Sequence, residues 1–355
     1  MSQISLKIGE VISEPGTKKF GRINLVKTLD GGEAFIPVHI VHGKKQGPIL
    51  LLDSTQHGDE DFTITIVRKI VQKTDVNRLA GTIIAIPVVN PYALATRTRV
   101  MFSLGAYAAY NLDRMYFLPG KNLSTFHVYH KVAPSLPERI AYEVAQILEK
   151  AKVVCVLDLH SGPYALGCEY NYLGATAPAN VETKIRELCK VLGQEFIIHD
   201  PLFPFEGMLV NYAAKLNIPG VQILYGAQMH GCEEYLERGV RGVENVMKHL
   251  GMISGKPILP KKQFVVRERI IMKATHGGMF FPKVGGIVEA LHKRVPEGTV
   301  LGTIISPYTF EELERVTAPY EETALLLVRA RSTVNPGEYL YTCADMKTAE
   351  VIENE

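Results

Sequence analysis

The chain has 355 residues and a formal net charge of +2, with 21% charged and 46% hydrophobic residues. A chain of this length can bury a large core and most simply forms two domains. Acidic and basic residues are mixed along the sequence, and no basic block carries interleaved aromatic residues. The charge pattern therefore argues against a nucleic-acid partner and favours a small-molecule one.

The five cysteines are scattered and odd in number, which argues against a disulfide framework and against a cysteine metal site. The first ten residues lack the apolar core of a signal peptide, and no apolar run reaches the length of a membrane span. We therefore expect a cytoplasmic protein with no membrane partner. The sequence leaves room for a homo-oligomer.

Apolar runs of strand length alternate with segments of helical periodicity over the first two thirds of the chain. The strand-like runs lie at residues 49–52, 81–89, 153–157 and 220–226, and helical spacing follows most of them. This alternation predicts an α/β fold with a mixed, mainly parallel sheet flanked by helices. Pro87 predicts that the second run is an edge strand or contains a bulge.

The pattern changes near residue 256, where Gly255, Pro257 and Pro260 suggest a linker. Strand-like runs between Gly and Pro turns follow, and the one helical signal lies at residues 310–314. We therefore divide the chain into an α/β domain at residues 1–255 and a small all-β domain at residues 256–355.

The motif Gln56-His57-Gly58-Asp59-Glu60 follows the first strand-like run and precedes a likely helix-forming segment. Residues three apart on a first helical turn share a face, so His57 and Glu60 could hold one metal ion. An alternative is a solvated helix N-terminus, where acidic residues are favoured by the helix dipole.

A third metal-ligand type follows another buried strand, in Asp158-Leu159-His160. Two histidines and one glutamate form the ligand set of a catalytic zinc that keeps one position open for water. We therefore predict one Zn2+ per chain, bound by His57, Glu60 and His160, with Asp158 as an orienting group. The same ligands would also accept cobalt, nickel or manganese.

These motifs resemble the succinylglutamate desuccinylase/aspartoacylase family, a branch of the zinc carboxypeptidase-like fold. The resemblance extends over nearly the whole chain and includes the following motifs: His57-Gly58-Asp59-Glu60, Asn90-Pro91, Arg114 with Pro119-Gly120, Asp158-Leu159-His160 and Ile218-Pro219-Gly220. It implies zinc on the three ligands, Arg99 near the scissile carbonyl and Arg114 on a substrate carboxylate. Arg97 is an alternative to Arg99.

The chain departs from the family pattern just before Arg114. The family has Asp-Leu-Asn-Arg, and this chain has Asn111-Leu112-Asp113-Arg114. Asp113 is a poor partner for an anion unless Arg114 balances its charge. Asn111 and Asp113 therefore predict a substrate other than acyl-aspartate or succinyl-glutamate, such as one that presents an amine or an amide there.

A second departure concerns proton transfer, because Leu224 stands where the family has its catalytic glutamate. A leucine cannot carry a proton, so another group would have to replace it. We take Glu233 and Glu234 as the candidates, since they follow the same strand. Further acids and one histidine after predicted strands are alternatives: Glu169, Glu206 and His230.

The resemblance and the ligand set predict a zinc-dependent amidohydrolase that removes an acyl group from a small amino-acid-like substrate. A metallocarboxypeptidase that acts on peptides would use the same metal chemistry. A non-catalytic metal-binding member of the family is the third alternative, and Leu224 is the feature that favours it.

Overall fold

A computed structural model describes residues 5–102, 109–116, 134–174, 177–200, 203, 205–227 and 233–354. The described strands, in chain order, are β1 Leu6–Ile8, β2 Val11–Ser13, β3 Thr17–Lys27, β4 Glu33–His42, β5 Lys45–Ser54, β6 Ala80–Ile86, β7 Met101–Phe102, β8 Ala109–Tyr110, β9 Cys155–Gly162, β10 Leu166–Gly174, β11 Phe196–Asp200, β12 Gly220–Ala227, β13 Lys262–Val266, β14 Arg269–Lys273, β15 Gly278–Pro282, β16 Arg294–Val295, β17 Val300–Ile305, β18 Glu312–Thr317, β19 Thr323–Arg329, β20 Ser332–Val334, β21 Tyr339–Asp345 and β22 Glu350–Glu353. The described helices are α1 Thr63–Lys73, α2 Pro91–Thr96, α3 Leu136–Lys150, α4 Ala179–Val191, α5 Leu209–Lys215, α6 Glu233–His249 and α7 Ile287–Ala290, with a 3-10 turn at Leu112–Arg114.

The centre of the large sheet is a parallel run of four strands in the order β12-β9-β5-β6. These strands are rich in branched apolar residues because both faces of the sheet are covered. β6 lies inside the sheet between β5 and β4, and it ends at Ile86. Pro87 therefore follows the strand, and β6 is not an edge strand. The ladder between β5 and β6 has a register shift between Lys45 and Ile49, at the opposite end of β6 from Pro87.

Antiparallel strands extend the sheet on both sides of this centre. β4 and β3 continue it on one side, and β10, β19, β21 and β14 continue it on the other. The mixed α/β sheet is therefore confirmed, but it is not mainly parallel: besides the four central strands, the parallel pairs are β10–β11 and β11–β13, and the other pairs named above are antiparallel. We predicted too many parallel strands, because an apolar run looks the same in the sequence whether the strand pairs in an antiparallel or a parallel direction.

Helices cover both faces of the sheet. α1, α4 and α6 pack on one face against Leu157, Leu159 and Ile223, while α3 and α5 pack on the other against Leu51 and Val156. Since side chains alternate along a strand, Asp158 and His160 project to the face of α3 and α5. Of the described helices, none is long and apolar enough to cross a membrane.

The C-terminal part is almost entirely β-structure, as the Gly and Pro turns predicted. Some of its strands join the large sheet, since β19 pairs with β10 and β13 pairs with β11. Others form a separate four-stranded sheet in the order β18-β17-β15-β20. The helix expected at residues 310–314 is absent, because β18 begins there at Glu312 and pairs with β17. The division at residue 256 stays a prediction.

Candidate metal and substrate site

The loop after β5 carries His57 and Glu60, and neighbouring backbone fixes its shape. Thr55 has a φ of +61°, and the Asn90 side chain donates a hydrogen bond of 3.2 Å to the Gln56 carbonyl. A Cβ on Gly58 would lie 2.0–2.1 Å from the carbonyl group of Ala93, so only glycine fits there.

Helix α1 begins at Thr63, so His57 and Glu60 lie in the preceding turn and not in the first helical turn that we expected. The Glu60 amide donates to the His57 carbonyl at 3.3 Å. This turn, and not helical periodicity, brings the two side chains to one side of the loop.

The three predicted ligands come together in one buried cluster, which we call the ligand cluster: His57, Glu60 and His160. Glu60 lies between the histidines, with its Oε1 3.1 Å from His57 Nδ1 and its Oε2 2.7 Å from His160 Nδ1. One ligand atom from each residue lies within 4.8 Å of the other two. All three side chains are at most 4% exposed.

Each imidazole ring has its Nδ1 atom facing Glu60 and its Nε2 atom facing another polar side chain. His57 Nε2 donates to Asn111 Oδ1 at 3.0 Å, and His160 Nε2 lies 3.1 Å from Asp158 Oδ1. The Asn111 acceptor favours a proton on His57 Nε2 and a lone pair on His57 Nδ1. His160 Nε2 lies between Asp158 Oδ1 and the Gln222 amide, and its Nδ1 faces Glu60. Within the described part of the chain, the buried His57 Nδ1 has no hydrogen-bond partner. The donor set therefore fits a divalent metal ion such as zinc.

Opposite charges determine the ionisation of the ligand cluster. Burial acts to raise the pKa of Glu60, but His57, His160 and Arg99 hold that pKa well below its usual range. Burial likewise acts to lower the pKa of His160, but Asp158 and Glu60 raise it well above its usual range. Glu60 is therefore an anion at neutral pH.

A polar row crosses three parallel strands next to the ligand cluster. Asp53, Asp158 and Gln222 are Cα partners in the registers of β5, β9 and β12. Burial, and then the charge of Asp158, raise the pKa of Asp53 well above its usual range. Gln56 Nε2 donates to Asp53 Oδ2 at 3.1 Å.

Gln222 is a site residue that our reading of the sequence missed. Its Nε2 lies 3.0 Å from His160 Nε2 and 3.4 Å from both Asp113 Oδ2 and Asp158 Oδ2. Strand alternation could have identified it, because a residue two positions before Leu224 must share its face.

The predicted arginines occupy different environments. Arg99 Nη1 lies 2.5 Å from Glu60 Oε1, with 47% of its side chain exposed. Arg97 is exposed at the end of α2, where its φ is +51°. Arg114 Nη1 donates to Asp113 Oδ2 at 2.9 Å, and its guanidinium lies 5.2 Å from the ring centroid of Phe205. The structure thus brings Arg99, and not Arg97, to the ligand cluster.

Where the structure describes the candidate proton carriers, their contacts are with residues outside the ligand cluster. Glu233 and Glu234 begin α6, which packs on the sheet face opposite to His160, and Glu234 pairs with Arg238. Glu169 also projects to that face and pairs with Arg238 at 2.7 Å. The remaining acid, Glu206, is exposed and pairs with Lys215 at 3.3 Å. The last candidate, His230, lies outside the described residues.

Leu224 lies directly beside His160 in the register between β12 and β9. Its side chain is partly buried and packs against Tyr170 and its neighbours. The structure therefore places a carbon side chain where the family resemblance puts the carboxylate that transfers protons.

Known proteins share this architecture. The N-alpha-acetyl-L-2,4-diaminobutyric acid deacetylase of Halomonas elongata is 23% identical over 325 residues, which cover 89% of this chain and 87% of that protein. A product-bound structure of the ectoine utilization protein EutE (DoeB) from Ruegeria pomeroyi has a TM-score of 0.76 at 16% identity, covering 93% of this chain and 95% of that chain. An aspartoacylase family protein from Mesorhizobium loti has a TM-score of 0.73 at 21% identity, with the same coverage.

The family comparison covers the strands and loops that carry the site. A model of the succinylglutamate desuccinylase/aspartoacylase catalytic domain matches residues 46–250, which include the whole ligand cluster. The resemblance that the motifs indicated is thereby confirmed, and the chain belongs to the succinylglutamate desuccinylase/aspartoacylase family.

Proposed function

We propose that this protein is a metal-dependent hydrolase that cleaves the N-acyl amide bond of a small amino-acid-like substrate. The observation that supports this most directly is the ligand cluster, in which two imidazole Nδ1 atoms flank one buried carboxylate. The family membership and the deacetylase name of the Halomonas elongata relative support the reaction type.

In this proposal His57, Glu60 and His160 hold one zinc ion. Bound zinc would supply a Lewis acid and lower the pKa of a water molecule to about 7. With the metal bound, Asn111 and Asp158 would each accept a hydrogen bond from an imidazole Nε2 and so orient the ring to present Nδ1, which is the usual role of such outer partners.

Two arginines would act on the substrate. Arg99 contacts Glu60 and is partly exposed, so its guanidinium can also donate to the oxygen that becomes negative as the amide is attacked. One such donor is worth roughly 3–4 kcal/mol in the transition state. Arg114 would bind a substrate carboxylate, for which a planar guanidinium is well suited.

Leu224 favours a second candidate, a family member that binds metal and ligand without hydrolysis. General acid–base catalysis contributes about a hundred- to ten-thousand-fold to such reactions. Glu233 and Glu234 are not retained as proton carriers in this proposal, because α6 packs on the other face of the sheet. A hydrolase with Leu224 must take its proton from another group or from solvent.

The deciding experiment measures amine release from N-acetyl and N-succinyl amino acids by the zinc-loaded protein. We expect turnover that is lost on chelation, restored by zinc and abolished in His160→Ala. His249→Ala is the matched control, because His249 is exposed at the end of α6. Stoichiometric zinc binding without any amide hydrolysis would contradict the proposal and support the non-catalytic candidate.

A further inference from the structure

A row of side chains leads away from the ligand cluster on the sheet face that carries His160. His160, Leu224 and Tyr170 are successive partners in the registers of β9, β12 and β10, so their side chains project to the same face. Tyr170 makes an edge-to-face contact with Tyr172, with the ring centroids 5.4 Å apart. An aromatic surface therefore begins on the second strand away from His160, and Leu224 lies between the two.

The aromatic side chains continue from Tyr172 to Arg114. Tyr172 stacks on Phe203 with a centroid distance of 4.3 Å and an interplanar angle of 17°, and Phe203 contacts Phe205 edge to face at 6.1 Å. The Arg114 guanidinium lies 5.2 Å from the Phe205 ring centroid. We call the four aromatic residues the aromatic arc: Tyr170, Tyr172, Phe203 and Phe205. The arc connects the strand row beside the ligand cluster to the arginine that the proposed function assigns to a substrate carboxylate.

The members of the aromatic arc differ in exposure. Tyr170 and Phe203 are each 4% exposed, Tyr172 is half-buried and Phe205 is 44% exposed. The two buried rings hold the other two in place, and Phe205 keeps a ring surface that a ligand can cover. Covering such a ring with a second ring gains free energy both from the apolar area that is buried and from the contact between the rings.

The aromatic arc is uncharged, and so is its junction with the ligand cluster. Leu224 packs against the Tyr170 cluster where the family resemblance puts a carboxylate. Burial raises the pKa of Tyr172, while Arg269 and Asp200, which act on that pKa in opposite directions, pair with each other at 2.7 Å. A charged substrate side chain would lose its water at this uncharged surface, so an apolar side chain fits it better.

We propose that the aromatic arc binds an aromatic side chain of the substrate, so that the preferred substrates are N-acyl derivatives of aromatic amino acids. This inference rests on the proposed function, which puts the amide at the ligand cluster and the carboxylate at Arg114. The α-carbon joins these two groups in such a substrate, and the aromatic arc extends from the one place to the other. Aromatic rings prefer edge-to-face and offset-stacked contacts, which Tyr172 and Phe205 can provide.

The kinetic test compares N-acetyl-L-phenylalanine with N-acetyl-L-alanine, which lacks the phenyl ring, on the zinc-loaded protein. The expected wild-type kcat/KM ratio favours the phenylalanine derivative, and Phe205→Ala is expected to lower that ratio about 3- to 10-fold. Both substrates carry the same carboxylate, so a displaced Arg114 would slow both and cancel in the ratio. Phe20→Ala is the matched control, because Phe20 is 59% exposed on the edge strand β3, and it is expected to leave the ratio unchanged.

A conservative variant and two polar substrates make the kinetic test sharper. Phe205→Tyr keeps an aromatic ring and is expected to keep the wild-type ratio. N-acetyl-L-aspartate and N-acetyl-L-2,4-diaminobutyrate are expected to be poorer substrates than the phenylalanine derivative. Faster hydrolysis of either polar substrate, or a ratio that Phe205→Ala leaves unchanged, would overturn the inference and leave the proposed function intact.

Calorimetry on the zinc-loaded protein separates the two ideas without turnover. L-phenylalanine is expected to bind more tightly than L-alanine, and Phe205→Ala is expected to reduce this difference. If the preference is observed but no amide is hydrolysed, the proposed function fails and the inference stands. Equal affinities of the two amino acids would show that the aromatic arc does not bind an aromatic side chain.

Discussion

Leu224 and His160 are direct neighbours in the parallel ladder between β12 and β9, and both side chains project to the face that carries the ligand cluster. A side chain introduced at position 224 would therefore project from the strand position next to His160. We expect Leu224→Glu to raise the kcat for amide hydrolysis by about a hundred- to ten-thousand-fold, because a carboxylate at this position can transfer protons.

The matched control for this substitution is Leu224→Gln, which has nearly the same shape as the glutamate variant and cannot titrate. The measurement is the initial rate of amine release as a function of pH. Equal rates for the two variants would show that position 224 does not reach the reacting atoms.

Asn111 is expected to determine zinc affinity through His57. Its Oδ1 accepts from His57 Nε2 and also from the Asp113 amide at 3.1 Å. Asn111→Ala should weaken zinc binding about 10- to 100-fold, as removal of outer partners usually does. Asn111→Asp keeps an acceptor for the imidazole and should bind zinc at least as tightly as wild type.

Competition with a chromogenic chelator would measure these affinities. Asn77→Ala, at an exposed loop position, is the control for the loss of an asparagine side chain. A zinc affinity in Asn111→Ala equal to that of wild type would mean that the hydrogen bond to His57 does not orient the ring.

Gly58→Ala is expected to damage the ligand cluster and the stability together. The new Cβ would meet the Ala93 carbonyl group at 2.0–2.1 Å, and backbone atoms cannot move aside as a side chain can. We expect a loss of about 1–3 kcal/mol in unfolding free energy, together with weaker zinc binding.

Gly32→Ala is the matched control for thermal unfolding and zinc titration, since its Cβ would approach only the Thr28 and Asp30 side chains, at 3.1–3.2 Å. If Gly58→Ala melts and binds zinc like this control, the loop is more deformable than its contacts indicate.

Asp53 is expected to make stability fall as pH rises. Its pKa is raised in the folded protein, chiefly by burial and then by Asp158, and is about 3.9 in an unfolded chain. Below the pKa of the unfolded chain both states hold the proton, so the full contribution of Asp53 to folding stability is present. Between the unfolded and the folded pKa only the folded state keeps the proton, and stability declines by at most about 1.4 kcal/mol per pH unit.

Asp53→Asn should remove this slope, because an amide keeps the polar contacts and does not titrate. The measurement is urea unfolding of the wild type and the variant at several pH values from about 4 to about 8. It checks whether the unfolding free energy of the wild type falls, relative to that of the variant, as the pH rises. The unfolding free energy of the variant, relative to that of the wild type, should therefore increase as the pH rises. A difference in unfolding free energy that is constant with pH would refute the raised pKa of Asp53.

The ligand cluster could be predicted because its signals are local. His57 and Glu60 follow the buried strand β5 at a polar turn, and His160 lies near the carboxyl end of the neighbouring parallel strand β9, so all three meet at the same edge of the sheet. Gln222 could not be recognised in this way, since its role depends on the register between β9 and β12. The register depends on how two strands pair, so it cannot be read from the sequence of either strand alone.

The errors also have physical causes. The apolar and charged residues at positions 310–314 fit a helix locally, but pairing with β17 makes this region the start of a strand. Glu233 and Glu234 follow the correct strand, but α6 packs on the opposite face. Their order in the sequence suggested a position near the site. The apolar face of α6 determines on which face of the sheet the helix packs, and this is the face away from His160.

The pairing of β19 with β10 and of β13 with β11 means that the chain cannot be cut near residue 256 without opening the large sheet. A shortened protein ending there would expose unpaired backbone amides and carbonyls along β10 and β11. Open edges of this kind recruit strands from other molecules. The shortened protein would therefore be expected to aggregate, and any engineered variant should retain the strands beyond residue 256.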